Sequence, residues 1–249
     1  MSEVLLRREE AVAYVTLNRP EVHNAFNEVL IAALTETLTQ LSADPTVRVV
    51  VISGAGKSFC AGADLDWMRR MAGHSREQNL ADAEKARTLF ETLDSCPKVT
   101  IAQIHGAALG GGAGLVAACD LAVAEENTRF AFSEVRLGIL PATIAPFVLK
   151  KIGMGHARAL FVTGRRFSAE EALRFGLIQE IGSHDAVSAQ ISEALLASPD
   201  AVNRVKRLLR ELPAADTAAA LADARASDEG REGLSAFLEK RKPRWIDAG

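Results

Sequence analysis

Three stretches of the chain carry residues whose types and spacing can do chemistry. The first is Gly110-Gly111-Gly112, ahead of an apolar run of small residues. Glycines before a helix N-terminus expose backbone N–H groups and let a ligand approach closely. Such donors suit an oxyanion; the same glycines also serve close packing of a helix on a strand. The second is Glu134, in Phe130-Ala131-Phe132-Ser133-Glu134-Val135, just after an apolar strand candidate. A carboxylate at such a junction can act as a general acid/base with a raised pKa, although an isolated glutamate is more commonly exposed or paired. The third is Gly54-Ala55-Gly56-Lys57-Ser58, which ends like a phosphate-binding loop. That pattern needs a glycine where Val51 stands, so a surface turn is the better reading.

Other chemistries lack their residues. No GxGxxG or GxSxG pattern occurs, so neither a dinucleotide fingerprint nor a serine nucleophile elbow is supported. The three cysteines, Cys60, Cys96 and Cys119, are widely spaced and form no CxxC pair, and no His/Cys cluster has zinc spacing. No metal is expected. Across 249 residues, 29 basic and 32 acidic side chains leave a formal charge of −3, with 48% hydrophobic residues, so no nucleic-acid or membrane partner is expected. The N-terminus has charges at Glu3, Arg7, Arg8, Glu9 and Glu10 and lacks a secretory apolar run. A reducing, cytoplasmic setting is the simple expectation.

The elements that must position these groups alternate between strand and helix. Val12 to Leu17 and Val47 to Ser53 read as strands, and Asn27 caps a helix to about Ser42 with Leu30, Leu34, Leu38 and Leu41 on one face. Asp64 to Met71 and Glu77 to Leu93 read as helices. Val99 to Cys119 has no charged residue, but its five glycines, with Gln103 and His105, fit a buried strand, a tight loop and a buried helix better than a membrane span. Leu121 to Ala124 and Arg129 to Phe132 are short strand candidates. Ile144 to Ile152, Gly155 to Thr163, a helix capped by Ser168 and Glu171 and stopped by Gly176, and Ala201 to Leu212, Ala214 to Ala226 and Glu232 to Lys242 complete a helical second half. The fold class is α/β.

Several short motifs occur in one order. They are Asn18-Arg19-Pro20, Asn24-Ala25-Phe26, Ser58-Phe59-Cys60-Ala61-Gly62-Ala63-Asp64-Leu65, Gly106 to Gly112, Cys119-Asp120, and Phe132 to Gly138. Each is weak alone. Together they resemble the enoyl-CoA hydratase/isomerase (crotonase) family, from about Leu17 to Glu232-Gly233-Leu234-Ser235-Ala236-Phe237-Leu238-Glu239-Lys240-Arg241. The resemblance implies an α/β, crotonase-like spiral of ββα units over residues 1–195, holding the acyl-CoA site. It implies a helical region over 196–249 for trimerisation and CoA contact, a homotrimer or homohexamer, and an acyl-CoA thioester substrate, with CoA as part of the substrate and no other cofactor.

By motif match, the resemblance gives the oxyanion-hole N–H groups to Ala63 and Gly111 and the proton transfer to Glu134. It puts CoA along Val22, His23, Ala25, Ala61, Asp64 and Leu65, with Phe237 and Lys240 reaching CoA from the tail; for Lys240 a solvated basic face is an equal reading. Trp67, Met68, Met71, Gly114 and Pro141 fall to the acyl pocket, where ordinary core packing competes for Trp67, Met68 and Met71. Asp64 and Asp66 also suit capping of the following helix. The family's hydratases typically use a second glutamate, at the position where this chain has Gly114. The expected activity is hydration of a 2-enoyl-CoA with Glu134 alone. Alternatives are a Δ3/Δ2-enoyl-CoA isomerase, another thioester reaction such as hydrolysis, and a non-catalytic acyl-CoA binder. The segments around Trp67, Ala108 to Ala117 and Gly138 to Ile144 look most like bacterial methylglutaconyl-CoA and carboxygeranoyl-CoA hydratases. Their substrates carry an extra carboxylate that Arg69 or Arg70 could meet, although an exposed helix face remains the simpler place for either arginine.

Overall fold

Runs of apolar, β-branched residues make the first layer of the fold. In this computed structural model, which describes residues 2–212 and 214–246, a six-stranded sheet runs in the order β1 (Val4–Glu9), β2 (Val12–Leu17), β3 (Val49–Gly54), β4 (Val99–Ile104), β6 (Leu121–Ala124), β9 (Glu180–Ile181). Only β1 is antiparallel to its neighbour. Val49 to Ile52 are buried, as strands of a parallel sheet covered on both faces must be.

A second ladder lies beside it. It consists of β5 (Ala107–Leu109), β7 (Arg129–Ala131) and β8 (Arg166–Ser168), prolonged by single bridges between Cys60 and Ala108 and between Phe26 and Ala63. Successive turns of the chain thus give one strand to the large sheet and a short segment to this ladder, then leave through a helix. The helices are α1 (Glu28–Ala43), α2 (Leu65–Met71), α3 (Arg76–Ser95), α4 (Gly111–Ala118) and α5 (Ala145–Thr163). The winding is the expected spiral, and both segments expected to carry oxyanion donors leave this ladder.

Helix boundaries follow local chemistry. The Asn27 side chain accepts the Leu30 N–H and starts α1, whose Leu30, Leu34, Leu38 and Leu41 pack toward α3. Ser168 and Glu171 form a capping box on α6 (Ala169–Phe175), and Gly176 ends it at φ +84°. The two helices expected over 144–163 form one element broken at Gly153, where φ is +70°. The uncharged run 99–119 folds as β4, β5 and α4; among the described residues no helix is long and apolar enough to cross a membrane.

After α7 (His184–Leu196), helices α8 (Pro199–Glu211), α9 (Thr217–Ala226) and α10 (Asp228–Glu239) form the tail. The last two differ from the expected 214–226 and 232–242, because Asp216 and Ser227 cap them and Lys240 turns left-handed to end α10. The tail is tied to the first part of the chain. Lys206 Nζ on α8 lies 2.6 Å from Asp120 Oδ2 and 2.8 Å from the Lys98 carbonyl. The Arg48 guanidinium donates to the carbonyls of Leu195, Ala197 and Trp245.

Candidate active site

Three consecutive glycines do three different jobs. Gly110 takes φ +51° to turn the chain from β5 into α4. Gly111 is the first residue of α4 and faces Phe26: a Cβ there would lie 2.7 Å from the ring. Gly112 lies against the backbone of Cys60 so closely that a Cβ would overlap the Cys60 carbonyl. Gly112 serves close packing alone, whereas Gly111 combines a tight Phe26 contact with an N–H at the helix start.

The Gly111 N–H belongs to the first turn of a helix, where intrahelical acceptors are lacking. Among the described residues it donates to no protein acceptor, and neither does the N–H of Ala63. Ala63 is held from both sides. The Gly62 carbonyl accepts the Phe26 N–H at 2.6 Å, and the Asp64 N–H donates to the Phe26 carbonyl at 2.8 Å, which leaves the Ala63 N–H between them unspent.

Glu134 opens a short 3-10 turn over Glu134–Leu137, directly beyond β7. A Cβ built on Gly110 would lie 3.3 Å from Glu134 Oε1 and 3.9 Å from Gly62 Cα. Gly110 is thus sandwiched between the carboxylate and the loop that carries Ala63. Glu134 Oε2 is buried and has no hydrogen-bond partner among the described residues. Loss of solvent raises the pKa of the carboxyl, opposed only by its own backbone N–H. An unpartnered carboxylate of raised pKa beside two free N–H donors can move a proton at a carbon next to an oxyanion. The other reactive side chain here is inert: burial pushes the Cys60 thiol up to about 12.

A cleft of about 530 Å³ opens at Ala63; Gly111 and Glu134 are not among its lining residues. Val22, His23, Ala25, Ala61, Ala63, Asp64 and Leu65 line it, with Glu21, Asp66 and Arg69. The CoA-contact residues expected from the N-terminal half thus share one cavity with Ala63. Asp64 lines this cleft with its side chain already engaged. Its Oδ1 accepts the Asp66 and Trp67 N–H groups, capping α2, and its Oδ2 takes Arg19 at 2.9 Å. Both oxygens are engaged inside the protein, so its carboxylate is no free CoA contact. Asp66 pairs with Arg69. Phe237 and Lys240 are exposed at the end of α10 and are not part of this cleft lining.

The acyl-pocket expectations fare unevenly. Trp67 is 8% exposed and belongs to the core, with Met71 packed against it, so packing accounts for both. Met68 is half-buried, and Pro141 is buried. The space beside Gly114 is closed to a side chain, contrary to its expected place in the acyl pocket. A Cβ there would overlap Ile144 Cγ2 and lie 3.1 Å from Phe90 Cε1. No side chain of any length fits without displacing Ile144. Gly114→Ala gains about 1 kcal/mol of helix propensity but overpacks a full core, at about 1–3 kcal/mol. The expected result is a lower urea midpoint. A midpoint at or above that of wild type would show that Ile144 yields freely.

Sequence reasoning missed Arg19, Asn24, Phe26, Phe90 and Ile144 as parts of the site. Asn24 is wholly buried; its side chain accepts the Arg19 N–H and donates to the Ala55 and Ser58 carbonyls at 2.8 and 2.7 Å. The only available signal was the repeated asparagine in the motifs around Arg19.

With this geometry in view, comparison with known proteins decides the family. The profile described as enoyl-CoA hydratase/isomerase matches residues 7–248. The chain belongs to the enoyl-CoA hydratase/isomerase family. A putative enoyl-CoA hydratase of Thermus thermophilus is 36% identical over 94% of this chain and 97% of its own length. The 2,3-dehydroadipyl-CoA hydratase of Escherichia coli is 33% identical over 98% of both chains. Among solved structures, an enoyl-CoA hydratase from Shewanella pealeana superposes with a TM-score of 0.94 at 39% identity, over 98% of this chain and 96% of that one. The spiral of this enoyl-CoA hydratase/isomerase family member is therefore the crotonase fold, and the chain is an enzyme of that family.

Proposed function

We propose that this enzyme adds water across the double bond of a 2-enoyl-CoA thioester, with Glu134 as its single acid/base. The observation that carries the reading is the buried, unpartnered Oε2 of Glu134 beside the turn that separates the two free N–H groups. The thioester oxygen lies between the Ala63 and Gly111 N–H groups. Glu134 takes a proton from water as its oxygen bonds to Cβ. The electrons of the double bond move onto the thioester oxygen as an enolate, and the donors hold that charge. Glu134 then gives the proton to Cα, and the carbonyl re-forms. CoA extends along the cleft from Val22 to Leu65 as part of the substrate.

Gly114 favours a second reading. With Ile144 filling the space beside it, no second carboxylate acts from that position, and one carboxylate suffices to shuttle a proton between carbons in a Δ3/Δ2-enoyl-CoA isomerase. A non-catalytic acyl-CoA binder is the third, and the desolvated Glu134 argues against it. A branched or carboxylated acyl group, such as methylglutaconyl, is supported by the resemblance around residues 108–117 and 138–144. The arginines named for it are occupied at their own surface: Arg69 pairs with Asp66 and Arg70 with Glu28.

We also propose a homotrimer or a dimer of trimers. Exposed Leu234, Phe237 and Leu238 on α10, with Met154 and Val162 on α5, support burial against further copies. A cytoplasmic setting agrees with three free, buried cysteines.

The test is incubation with crotonyl-CoA, a 3-enoyl-CoA and 3-methylglutaconyl-CoA, followed by mass spectrometry and chromatography. A gain of one water is the expected result. A shifted double bond at constant mass would make the enzyme an isomerase. Binding with neither change across the panel would overturn both reactions.

A further inference from the structure

The Asn18-Arg19-Pro20 motif has no place in the chemistry above, yet Arg19 is one of the best-connected side chains in the molecule. Its side chain is only 14% exposed. Nη1 donates to the Ala25 carbonyl at 2.5 Å, Nη2 donates to Asp64 Oδ2 at 2.9 Å, and Nε lies 3.3 Å from Glu3 Oε2. Ala25 and Asp64 flank the single bridge in which Phe26 pairs with Ala63. The guanidinium therefore spans both strands of that bridge, one residue from its centre on each side.

We propose that Arg19, acting through Asp64, is the positioning residue that aims the Ala63 N–H at the oxyanion. Two hydrogen bonds to Phe26, with the Ala61 N–H donating to the His23 carbonyl at 3.0 Å, hold the segment around Ala63, and so short a bridge has little rigidity of its own. A planar guanidinium with fixed donor directions supplies it. The Asn24 side chain, which accepts the Arg19 N–H, fixes the arginine's own backbone. Asp64 divides its two oxygens: Oδ1 starts α2 and Oδ2 holds Arg19. Burial works to raise its pKa, but the Trp67 N–H, Arg19 and the Asp66 N–H outweigh burial and keep the carboxyl below its usual range. The carboxylate thus stays charged opposite the guanidinium. A donor displaced by a fraction of an ångström no longer meets the developing charge.

This inference rests on the oxyanion reading, and its test separates the two. Asp64→Asn is the cleanest variant, because asparagine caps a helix as well as aspartate while its amide opposes the guanidinium. Arg19→Lys keeps charge without the fork, and Arg19→Ala leaves a space that free guanidinium ion can enter. The expected result for Asp64→Asn and Arg19→Ala is a fall of about 100-fold in kcat and kcat/KM together, with KM within a few fold of wild type. Guanidinium ion at millimolar concentration restores part of the Arg19→Ala loss. Arg19→Lys stays impaired at least tenfold. The same variants, labelled with 15N, shift the Ala63 amide resonance and speed its hydrogen exchange, a readout that needs no turnover. Folded variants with kcat within threefold of wild type and an unmoved Ala63 amide overturn the proposal. A moved amide in an enzyme that hydrates no 2-enoyl-CoA would sustain the clamp and sink the hydratase reading instead.

Discussion

Glu134→Gln lowers turnover of the enoyl-CoA substrate by about 1,000-fold, the middle of the range for removing a general acid/base, and leaves CoA-thioester affinity close to that of wild type. Glutamine keeps the size and one oxygen but cannot carry the proton. Affinity survives because the cleft proposed for CoA is lined by other residues, from Glu21 to Arg69. Steady-state kinetics beside calorimetric binding of a saturated acyl-CoA checks both halves. A variant with more than a tenth of wild-type kcat would remove Glu134 from the reaction.

The same substitution has a stability consequence of opposite sign. Burial holds the folded-state pKa of Glu134 above its unfolded value. Such a group favours folding while protonated, and that advantage is lost as pH rises through the raised folded pKa. Above that raised pKa the wild-type protein carries a desolvated charge that Glu134→Gln lacks. The variant melts higher than wild type at pH values above it, and the difference closes below the ordinary glutamate range. Activity runs the other way: wild-type kcat/KM rises with pH through the raised pKa, because hydration starts from the carboxylate. A thermal-melt series against pH reads the first, and a pH–rate profile the second.

Gly111→Pro loses about 100-fold to 1,000-fold in kcat, the cost of one oxyanion donor. Proline at the first position of a helix leaves the helix intact, because that N–H has no intrahelical partner. Any Cβ at Gly111 meets the Phe26 ring at 2.7 Å. Gly111→Ala supplies the control: it adds the same Cβ and keeps the N–H. The ratio of the two variants isolates the donor. Equal kcat values in folded Gly111→Pro and Gly111→Ala would move the oxyanion away from α4.

Local chemistry made much of this fold legible in advance. Asn27 and Ser168 could be read as caps because their side chains satisfy N–H groups three residues away, an interaction internal to the segment. Leu30, Leu34, Leu38 and Leu41 defined a buried stripe by spacing alone. The charge-free run 99–119 declared its own burial. The ordered motifs gave the family, and with it Ala63, Gly111 and Glu134 as residues to examine.

What failed to show in the sequence depended on partners distant along the chain. β1, rich in charge, is a strand because β2 supplies its hydrogen bonds. β5, β8 and β9, two or three residues each, exist only through ladders formed with distant segments. Gly114 looked like a lost carboxylate in an open pocket, but Ile144, thirty residues on, fills the space. Asp64 looked like a substrate contact, but Arg19 claims one of its oxygens across 45 residues of chain. The amino-acid sequence by itself determined most of the helices and the long buried strands, because those properties lie within a few residues of each position, and its ordered motifs named the residues to examine. Tertiary structure alone decided that two backbone N–H groups go unspent, that a carboxylate oxygen is desolvated beside the turn at Gly110, and that an arginine bridges the two strands around Ala63. Each of those depends on the distance between segments brought together only by the spiral.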